Sequence, residues 1–253
     1  QQRADGVDDR GHGLVLGEPG DRRGHRRLSI TVGSYHLLRA HGGRGTLLGG
    51  VAGTRRGKVV VIGGGVAGEH AAANALGLGA QVTVFDVSLP RLRELEARYG
   101  NGLQTAHSTR YAIAEAVADA DLVIGSVLIP GAAAPKLVTD EMVRGMRAGA
   151  VLVDIAIDQG GCFEGSHATT HDAPTFEVHD TLYYCVANMP GTVPETSTRA
   201  LTNVTLPYVT AIADRGWEAA SAADAALAKG LNVRAGGITN AGVASAFGYA
   251  LAS

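Results

Sequence analysis

The chain has 253 residues, of which 45% are hydrophobic, 18% are charged and 5% are aromatic. These proportions are typical of a globular, soluble protein whose core is built mostly from Val, Ala, Leu and Ile. The formal net charge of −2 gives no electrostatic reason to expect nucleic acid or an anionic membrane as a partner. The length indicates one large α/β domain or two smaller ones.

Cysteine content and hydropathy bear on the cellular location. Cys162 and Cys185 are too few for a disulfide framework and are expected to be reduced thiols. No uninterrupted apolar run reaches the roughly 20 residues that a membrane helix needs, and the N-terminus lacks the apolar centre of a signal peptide. These features predict a cytoplasmic protein.

Residues 1–27 differ in composition from the rest of the chain. Arginines, acidic residues and six glycines are mixed there, and the apolar residues recur at neither period two nor period 3.6. Such a segment cannot offset its own chain entropy, so residues 1–28 are expected to be disordered. A short helix is predicted over Ser29–His41, ended by Gly42 and Gly43.

From Lys58 onward, apolar stretches of strand length alternate with stretches of helical character. Strands are predicted at Lys58–Ile62, Gln81–Asp86, Leu103–Ala106, Asp121–Ser126 and Val151–Ile155, with one or two more within Phe176–Ala187. Helices are predicted at Val66–Leu78, Leu89–Tyr99, Tyr111–Ala118, Thr139–Met146, Thr196–Asp214 with a kink or break at Pro207, Glu218–Ala228 and Ala241–Leu251. Strands that alternate with helices and lack period-two polarity indicate a parallel sheet covered on both faces. The predicted fold class is therefore α/β, with a Rossmann-type doubly wound parallel sheet.

The segment VVVIGGGVAGEHAA, Val59–Ala72, contains a glycine pattern typical of dinucleotide sites. Gly63, Gly65 and Gly68 form G-x-G-x-x-G directly after a strand and before a helix. The first glycine permits the tight turn, the second lets the backbone approach a pyrophosphate, and the third lets helix and strand pack closely. The phosphates then face the N-terminus of the helix, where free N–H groups and the helix dipole favour an anion.

The next strand ends in Asp86, about 20 residues after the glycines. A carboxylate in this place accepts hydrogen bonds from the ribose hydroxyls of NAD and repels the 2′-phosphate of NADP. The alternative is a surface aspartate that caps the helix beginning near Leu89. The pattern favours NAD as the cofactor.

Two further loops carry polar side chains after predicted strands. VLVDIAIDQGG, residues 151–161, runs from a strand into a loop with Asp154 and Asp158. An acid there can orient a nicotinamide or exchange a proton with a substrate amine or water, or it can form an Asx-turn with the following glycines. Asn188 follows a later strand, and its amide can bind a carboxamide or serve as a turn residue.

The histidines and cysteines give no prediction of a metal or an activated thiol. His167 and His171 are four apart, but they lie among turn-forming residues and have no third ligand in the sequence, so no metal is predicted. Cys162 has no His or basic neighbour and is interpreted as a small apolar loop residue.

Several segments together resemble alanine dehydrogenase, and they occur in the same order. They are GKVVVIGGGVAGEHAA, VTVFDVSLPRLREL, ADLVIGSVLIPGAAAPKLV, VLVDIAIDQGGCFEGS, TTHDAPTF and YYCVANMPGTVPETSTRALTN. The likeness covers about Val32 to Asn232, and IDQGGCFE and CVANMPG are specific to that family and its near relatives. Members oxidise L-alanine with NAD and water to pyruvate, ammonia and NADH, and they are usually homohexamers.

The resemblance implies roles for individual residues. The pyrophosphate would be held by Gly63, Gly65 and Gly68. The adenosine ribose would be held by Asp86, with Arg91 and Ser108 on the adenine side. The nicotinamide pocket would be lined by Val127, Leu128, Ile155, Asn188 and Met189. Asp158 matches the family's catalytic acidic residue, which lies between the nicotinamide and the substrate amine.

The chain departs from the family pattern before Val32. A complete member has a long N-terminal segment that forms most of the substrate domain and supplies an Arg, a Lys and a catalytic His, and none of those motifs occurs in residues 1–27. Their amino-acid composition resembles that of a GC-rich gene translated in the wrong reading frame. The expectation is a truncated alanine dehydrogenase with NAD binding and very low turnover. Its predicted segments are residues 1–28 outside the family, an NAD-binding domain at 29–194, and the C-terminal part of the substrate domain at 195–253.

Two other functions stay open at the level of sequence. One is a non-catalytic NAD-binding remnant. The other is the NAD-binding subunit of a proton-translocating nicotinamide nucleotide transhydrogenase. The CVANMPGTVPETST block and the lack of a membrane region favour alanine dehydrogenase, with small-molecule substrates and a homo-oligomeric assembly.

Overall fold

The computed structural model describes residues 21–127 and 135–252. The chain divides into two compact units, the first being Asp21–Thr198 and the second, within the described residues, 199–252. The segment from Gln1 to Gly20, most of the stretch predicted to be disordered, lies outside the described residues. The predicted division into domains at residue 195 stays a prediction.

A seven-stranded sheet lies at the centre of the first unit, counting the described residues. Its strands are β1 (Lys58–Ile62), β2 (Gln81–Asp86), β3 (Leu103–His107), β4 (Leu122–Gly125), β5 (Val151–Asp154), β6 (Thr175–Val178) and β7 (Thr181–Tyr184). They lie in the order β3-β2-β1-β4-β5-β7-β6, and all pairs are parallel except β6 with β7. The predicted Rossmann-type parallel sheet is confirmed, and the strand order reverses between β1 and β4.

The register aligns the carboxyl ends of the central strands. Ile62 of β1 pairs with Phe85 of β2 on one side and with Gly125 of β4 on the other. Gly125 in turn pairs with Asp154 of β5. The loops that follow these strands therefore leave the sheet side by side, and they carry most of the residues singled out from the sequence.

Helices cover both faces of the sheet. They are α1 (Asp21–His36), α2 (Val66–Gly77), α3 (Leu89–Tyr99), α4 (Arg110–Ala118) and α5 (Asp140–Arg144). Alternate residues of β1 point into two hydrophobic clusters, one shared with α1, α2 and α3 and the other with α4 and α5. The side chains of Ser88, Thr109 and Thr139 accept the N-terminal N–H groups of α3, α4 and α5, which explains where these helices begin.

Helix α1 begins earlier and ends earlier than predicted. It starts at Asp21, inside the segment 1–28 that the sequence predicts to be disordered. Ile30 is fully buried in the core, and the Asn74 side chain donates to the Arg27 carbonyl at 2.7 Å. Helix propagation from this anchored part adds one hydrogen bond per residue without needing an apolar face. A separate 3-10 helix, Arg39–His41, follows, and Gly42 ends it with φ 89°.

Asp121 lies just before β4, at the end of the sheet where the central parallel strands begin. This residue is fully buried. Its carboxylate accepts from both terminal nitrogens of Arg55, at 2.9 and 2.8 Å, and from the backbone N–H of Lys58 at 2.8 Å. The buried charge is thus paired and hydrogen-bonded, and it joins the starts of β1 and β4.

The second unit contains the later helices and a two-stranded ribbon. Its elements are the larger part of α6 (Pro194–Ala223), α7 (Ala225–Lys229), β8 (Val233–Arg234), β9 (Gly237–Ile238) and α8 (Ala241–Phe247). The break predicted at Pro207 lies elsewhere: the backbone of α6 leaves helical geometry at Gly216, with φ 75° and ψ 157°. Glycine has no Cβ to oppose a positive φ, and the helix continues through Pro207 although proline lacks the N–H donor.

Among the described residues, no helix combines the length and the apolar character needed to cross a membrane.

Candidate functional site

The glycine loop connects β1 to α2 at the point where the strand order reverses. Gly63 has φ 101°, a left-handed conformation that favours glycine. Its N–H donates to the Phe85 carbonyl at 2.8 Å, so the loop begins as a continuation of the pairing between β1 and β2. Gly65 is the N-cap of α2, which places the free N–H groups of the first helical turn beside the loop.

Gly68 allows α2 to approach the loop. A Cβ atom at this position would lie 1.8 Å from the Gly63 carbonyl oxygen and 2.8 Å from Oγ of Ser126. Neither the carbonyl nor the helix backbone can move away cheaply, so a side chain at residue 68 is incompatible with this packing. The third glycine of the pattern thus has the role that the sequence predicts for it.

Gly65 has the opposite surroundings. It is exposed, and a Cβ atom there would meet no other atom of the described chain within 4 Å. The protein's own packing therefore does not require glycine at residue 65. The open space lies in front of the α2 N-terminus, where helix N–H groups attract a phosphate.

Asp86 lies next to the glycine loop, as the sequence predicts. One carboxylate oxygen accepts from the Gly64 N–H at 2.7 Å, and the other accepts from the Ser88 N–H at 2.8 Å. The N-cap of α3 is Ser88, whose side chain accepts from the Arg91 N–H, so Asp86 is not the residue that caps this helix. The backbone N–H of Ser108 donates to the Asp86 carbonyl at 2.9 Å, which brings the start of the β3–α4 loop to the same place.

Arg91, in the first turn of α3, is held by groups of the protein. Its Nε donates to the Gly64 carbonyl at 2.7 Å, and Nη1 donates to Glu94 at 2.9 Å. Its Nη2 donates to Glu69, a buried residue of α2. Sequence reasoning did not single out Glu69, although it directly follows the third glycine.

Glu69 is the centre of a buried polar cluster. It accepts from Arg91 and Arg98, and from the Tyr99 hydroxyl at 3.1 Å. Burial raises the pKa of the Glu69 carboxyl, but the hydrogen bond and charge of Arg91 oppose it. With the further hydrogen bonds from Tyr99 and Arg98, the net pKa lies below the ordinary value. The carboxylate is therefore ionised at neutral pH and neutralises the guanidinium beside the loop.

Ser126 is a second residue that sequence reasoning missed. It follows β4 and is nearly fully buried, and its hydroxyl lies 2.9 Å from the Ile62 carbonyl and 2.8 Å from the Gly63 carbonyl. The hydroxyl thus ties the end of β4 to the first glycine of the loop. Val127, predicted to line the nicotinamide pocket, comes next and is half-buried. Leu128, predicted for the same pocket, lies outside the described residues.

The two aspartates after β5 have different environments. Asp154 is fully buried, and its carboxylate accepts from the N–H groups of Ala156 at 3.1 Å and Cys162 at 2.8 Å and from the Ser166 hydroxyl at 2.8 Å. Burial raises its pKa, and these donors oppose the rise. Asp154 therefore holds the loop together, through an Asx-turn to Ala156 rather than to the glycines and through the bonds from Cys162 and Ser166.

Asp158, the predicted catalytic acid, lies on a 3-10 helix, Ile157–Gln159, and is exposed. Ile155 precedes it and is half-buried. Its N–H donates to the Gly125 carbonyl at 2.9 Å, so this backbone is anchored to the end of β4. The carboxylate of Asp158 is thus available at the carboxyl edge of the sheet.

Asn188 and Met189 follow β7 at the same edge. Asn188 is exposed and left-handed, with φ 54° and ψ 45°, and its carbonyl accepts from Gly191 at 2.9 Å. The His171 ring bridges this carbonyl, at 3.2 Å, and the Thr192 hydroxyl, at 3.0 Å. Met189 is 1% exposed and packs into the core, so its side chain supports the loop from beneath.

The two cysteines and His167 pack against other parts of the protein. Both cysteines are free and buried, and burial raises the pKa of each thiol to about 12. Cys162 is thus the small buried loop residue that the sequence predicts. The His167 ring stacks on Phe176 at a centroid distance of 3.8 Å. Within residues 21–127 and 135–252, no cluster of three or more His, Cys, Asp or Glu side chains is arranged to hold a metal.

The chain is similar in sequence and fold to known proteins. The alanine dehydrogenase of Mycolicibacterium smegmatis is 60% identical over 218 residues, which cover 86% of this chain and 59% of the relative. A solved L-alanine dehydrogenase structure superposes with a TM-score of 0.88 at 49% identity, covering 90% of this chain and 63% of the other. A transhydrogenase from Sinorhizobium meliloti is less similar, with a TM-score of 0.64, 30% identity, and coverage of 76% of this chain and 55% of the other.

The chain spans about three fifths of the length of the curated relatives it matches, 59% and 60% for two of them. Residues 29–241 match the family described as the alanine dehydrogenase/PNT C-terminal domain. This match includes the glycine loop, Asp86 and the loops after β4, β5 and β7. The chain belongs to the alanine dehydrogenase/PNT C-terminal domain family.

Proposed function

We propose that this chain carries the NAD-binding part of an alanine dehydrogenase, which converts L-alanine, NAD and water to pyruvate, ammonia and NADH. The observation that carries the proposal is the contrast between two glycines of one loop. A side chain at Gly68 is excluded by the protein itself, whereas the space beside Gly65 is open. Gly77 has open surroundings too, but the space at Gly65 lies at the N-terminus of α2, where free N–H groups attract a phosphate.

The residues at the carboxyl edge fit a dinucleotide. The free N–H groups at the start of α2 would receive the pyrophosphate, with Gly63, Gly65 and Gly68 shaping the loop. Each carboxylate oxygen of Asp86 accepts one protein hydrogen bond and keeps lone-pair capacity for the ribose hydroxyls. Ser108 and Arg91 border the adenine side, where Arg91 and Asp86 contact the same residue, Gly64.

The nicotinamide end of the site would lie across the ends of β4, β5 and β7. The residues proposed to line it are Val127, Leu128, Ile155, Asn188 and Met189. NAD, when bound, supplies the hydride acceptor. The chain's own contribution is to orient that ring and to place the exposed carboxylate of Asp158 where it can exchange a proton with the substrate amine or with water.

Paired glycine variants test nucleotide binding. Gly65→Ala places a methyl group in the proposed pyrophosphate position without touching the protein. We expect it to weaken NADH binding about tenfold or more while the free energy of unfolding changes by less than about 0.5 kcal/mol. NADH fluorescence titration and urea unfolding measure the two quantities.

Gly77→Ala is the matched control. Gly77 is exposed at the end of α2, and a Cβ atom there also meets nothing within 4 Å. We expect NADH affinity to be unchanged and stability to be equal or greater. NADH binding that survives Gly65→Ala undiminished would contradict the proposed position of the pyrophosphate.

Turnover distinguishes the proposed reaction from the alternatives. Oxidation of NADH that depends on both pyruvate and ammonia supports alanine dehydrogenase, and we expect its rate to be very low in this chain. NADH binding without any turnover supports a non-catalytic NAD-binding remnant. The Sinorhizobium meliloti likeness makes a transhydrogenase subunit the third candidate, and hydride transfer between NADPH and an NAD analogue would favour it.

We further propose a homo-oligomeric, cytoplasmic protein, with the hexamer as the expected assembly. Support comes from large apolar side chains that are exposed on the first unit. Among them are Tyr35, Leu38, Leu47 and Val51. Such surface often marks contacts between subunits. Light scattering coupled to size-exclusion chromatography gives the number of chains, and a monomer at micromolar concentration would contradict the assembly.

A further inference from the structure

Two opposite charges flank one residue of the glycine loop. The carboxylate of Asp86 accepts from the Gly64 N–H at 2.7 Å, and the guanidinium of Arg91 donates to the Gly64 carbonyl at 2.7 Å. A guanidinium this close to the ribose position is the group that binds the 2′-phosphate of NADP in related folds. By itself, Arg91 would favour the nucleotide that Asp86 disfavours.

Three of the five N–H donors of Arg91 are already used by groups of the protein. All three of its nitrogens donate to the protein, Nε to Gly64, Nη1 to Glu94 and Nη2 to Glu69. Glu94 lies three residues along the same helix with its side chain 56% exposed, so solvent screens that pair. Glu69 is only 10% exposed at its side chain, and its ion pair with Arg91 lies mostly out of water.

We propose that Glu69 is a specificity-determining residue that holds and neutralises Arg91, so that the adenosine pocket offers no free guanidinium to a phosphate on the 2′ oxygen. Glu69 thus acts through Arg91 and reinforces the direct repulsion by Asp86. The inference rests on the proposed NAD site. It concerns a residue outside the G-x-G-x-x-G pattern, in the position that directly follows the third glycine.

Binding of NADH and NADPH to a Glu69→Gln variant tests the inference. The variant keeps the shape of the side chain but removes the charge that opposes Arg91. We expect the ratio of the NADPH dissociation constant to the NADH dissociation constant to fall about tenfold, the effect of one added charge-assisted hydrogen bond. Adenosine 2′,5′-bisphosphate against AMP, in the same titration, reports the 2′-phosphate alone.

Two further variants separate this role from a structural one. In a Glu69→Gln, Arg91→Gln double variant the ratio should return toward that of the unchanged chain, because the gain requires the guanidinium. Arg98→Gln is the matched control: it removes the other arginine bound to Glu69 and leaves Arg91 in place, so the ratio should not change. Thermal unfolding of each variant shows whether the fold is retained.

If Glu69→Gln does not fold, Glu69→Gln with Arg98→Gln removes one carboxylate and one guanidinium together and so preserves the charge of the cluster. The same tenfold change is expected there. An unchanged ratio in a folded variant that still binds NADH overturns the inference and leaves the proposed NAD site intact. If Glu69→Gln lowers the ratio equally in a chain that already carries Arg91→Gln, the inference is also wrong. If the wild-type chain binds neither NADH nor NADPH, the proposed function and this inference are both wrong.

Discussion

Single residues in the site divide into those fixed by the protein and those open to a ligand. Gly63 and Gly68 belong to the first group, because φ 101° at one and a close carbonyl at the other exclude a side chain. Gly65 belongs to the second. The G-x-G-x-x-G pattern and Asp86 were predictable because strand, turn and helix are adjacent in sequence.

Ser126 and Glu69 could not be predicted in the same way. The Ser126 hydroxyl bonds a carbonyl 63 residues earlier in the chain, a contact that exists only once β4 lies beside β1. Glu69 reads as an ordinary helix residue until α3 places two arginines against it. Their roles depend on packing between elements, which spacing along one element does not reveal.

Ser126→Ala tests the link between β4 and the loop. The substitution removes a buried hydroxyl that lies within hydrogen-bond distance of two carbonyls, so we expect the free energy of unfolding to fall by about 1–2 kcal/mol. NADH affinity should fall as well, since the loop loses an anchor. Ser34→Ala serves as the control. Its hydroxyl bonds the Thr31 carbonyl on the surface, so its effect should stay below about 0.5 kcal/mol. Equal stability of the two variants would contradict this role for Ser126.

Elements were predicted well where hydrophobic pattern and capping agree. β1, β2 and α3 have the predicted bounds, and α4 begins one residue before its predicted start, directly after its capping residue Thr109. The failures are at helix ends that depend on tertiary contacts. α1 extends back to Asp21 from a buried segment, and α6 departs from helical geometry at Gly216, with Pro207 inside the helix.

Asp154 shows how one side chain holds an entire loop. Its carboxylate accepts hydrogen bonds from Ala156, Cys162 and Ser166. Asp154→Asn replaces one acceptor oxygen with an N–H donor that must face another donor. We expect a loss of about 1–3 kcal/mol in the free energy of unfolding, measured by urea titration.

Asp158→Asn, on the exposed part of the same loop, provides the stability control for Asp154→Asn and should unfold at the same urea concentration as the unchanged chain. If Asp154→Asn proves equally stable, the buried carboxylate does not organise the loop as described.

At the scale of the whole molecule, the alternation of strands and helices was enough to predict the sheet and its class. The register that places Ile62, Gly125 and Asp154 side by side was not available from the sequence, because the pairing of distant strands depends on the final packing. The site is therefore a product of topology: each loop contributes a few groups, and the sheet order brings them together.

The stability of the folded chain should fall as the pH is lowered below about 6.5, the ordinary pKa of histidine. Burial lowers the pKa of His36, and the nearby charge of His41 lowers it further, against a hydrogen bond with the His41 backbone. Between pH 6.5 and the pKa of His36 in the folded chain, the unfolded chain binds a proton at His36 that the folded chain does not. Lowering the pH through this range therefore favours unfolding. His36→Phe keeps a ring beside Tyr184, which lies 5.5 Å away between centroids.

Urea unfolding at several pH values measures the effect. The dependence of the unfolding free energy on pH should be flatter for His36→Phe than for the unchanged chain between pH 6.5 and the folded pKa. Parallel curves for the two proteins would show that His36 is not the group responsible.

The bonds of Asp121 to Arg55 and to the start of β1 have a consequence for engineering the molecule. They stabilise the ends of β1 and β4 that lie farthest from the glycine loop, so this contact and the proposed nucleotide site lie at opposite ends of the same two strands. The free-energy changes caused by substitutions at one end should add to those caused by substitutions at the other end. Substitutions that increase stability and substitutions that alter nucleotide preference can then be selected separately and combined in one chain.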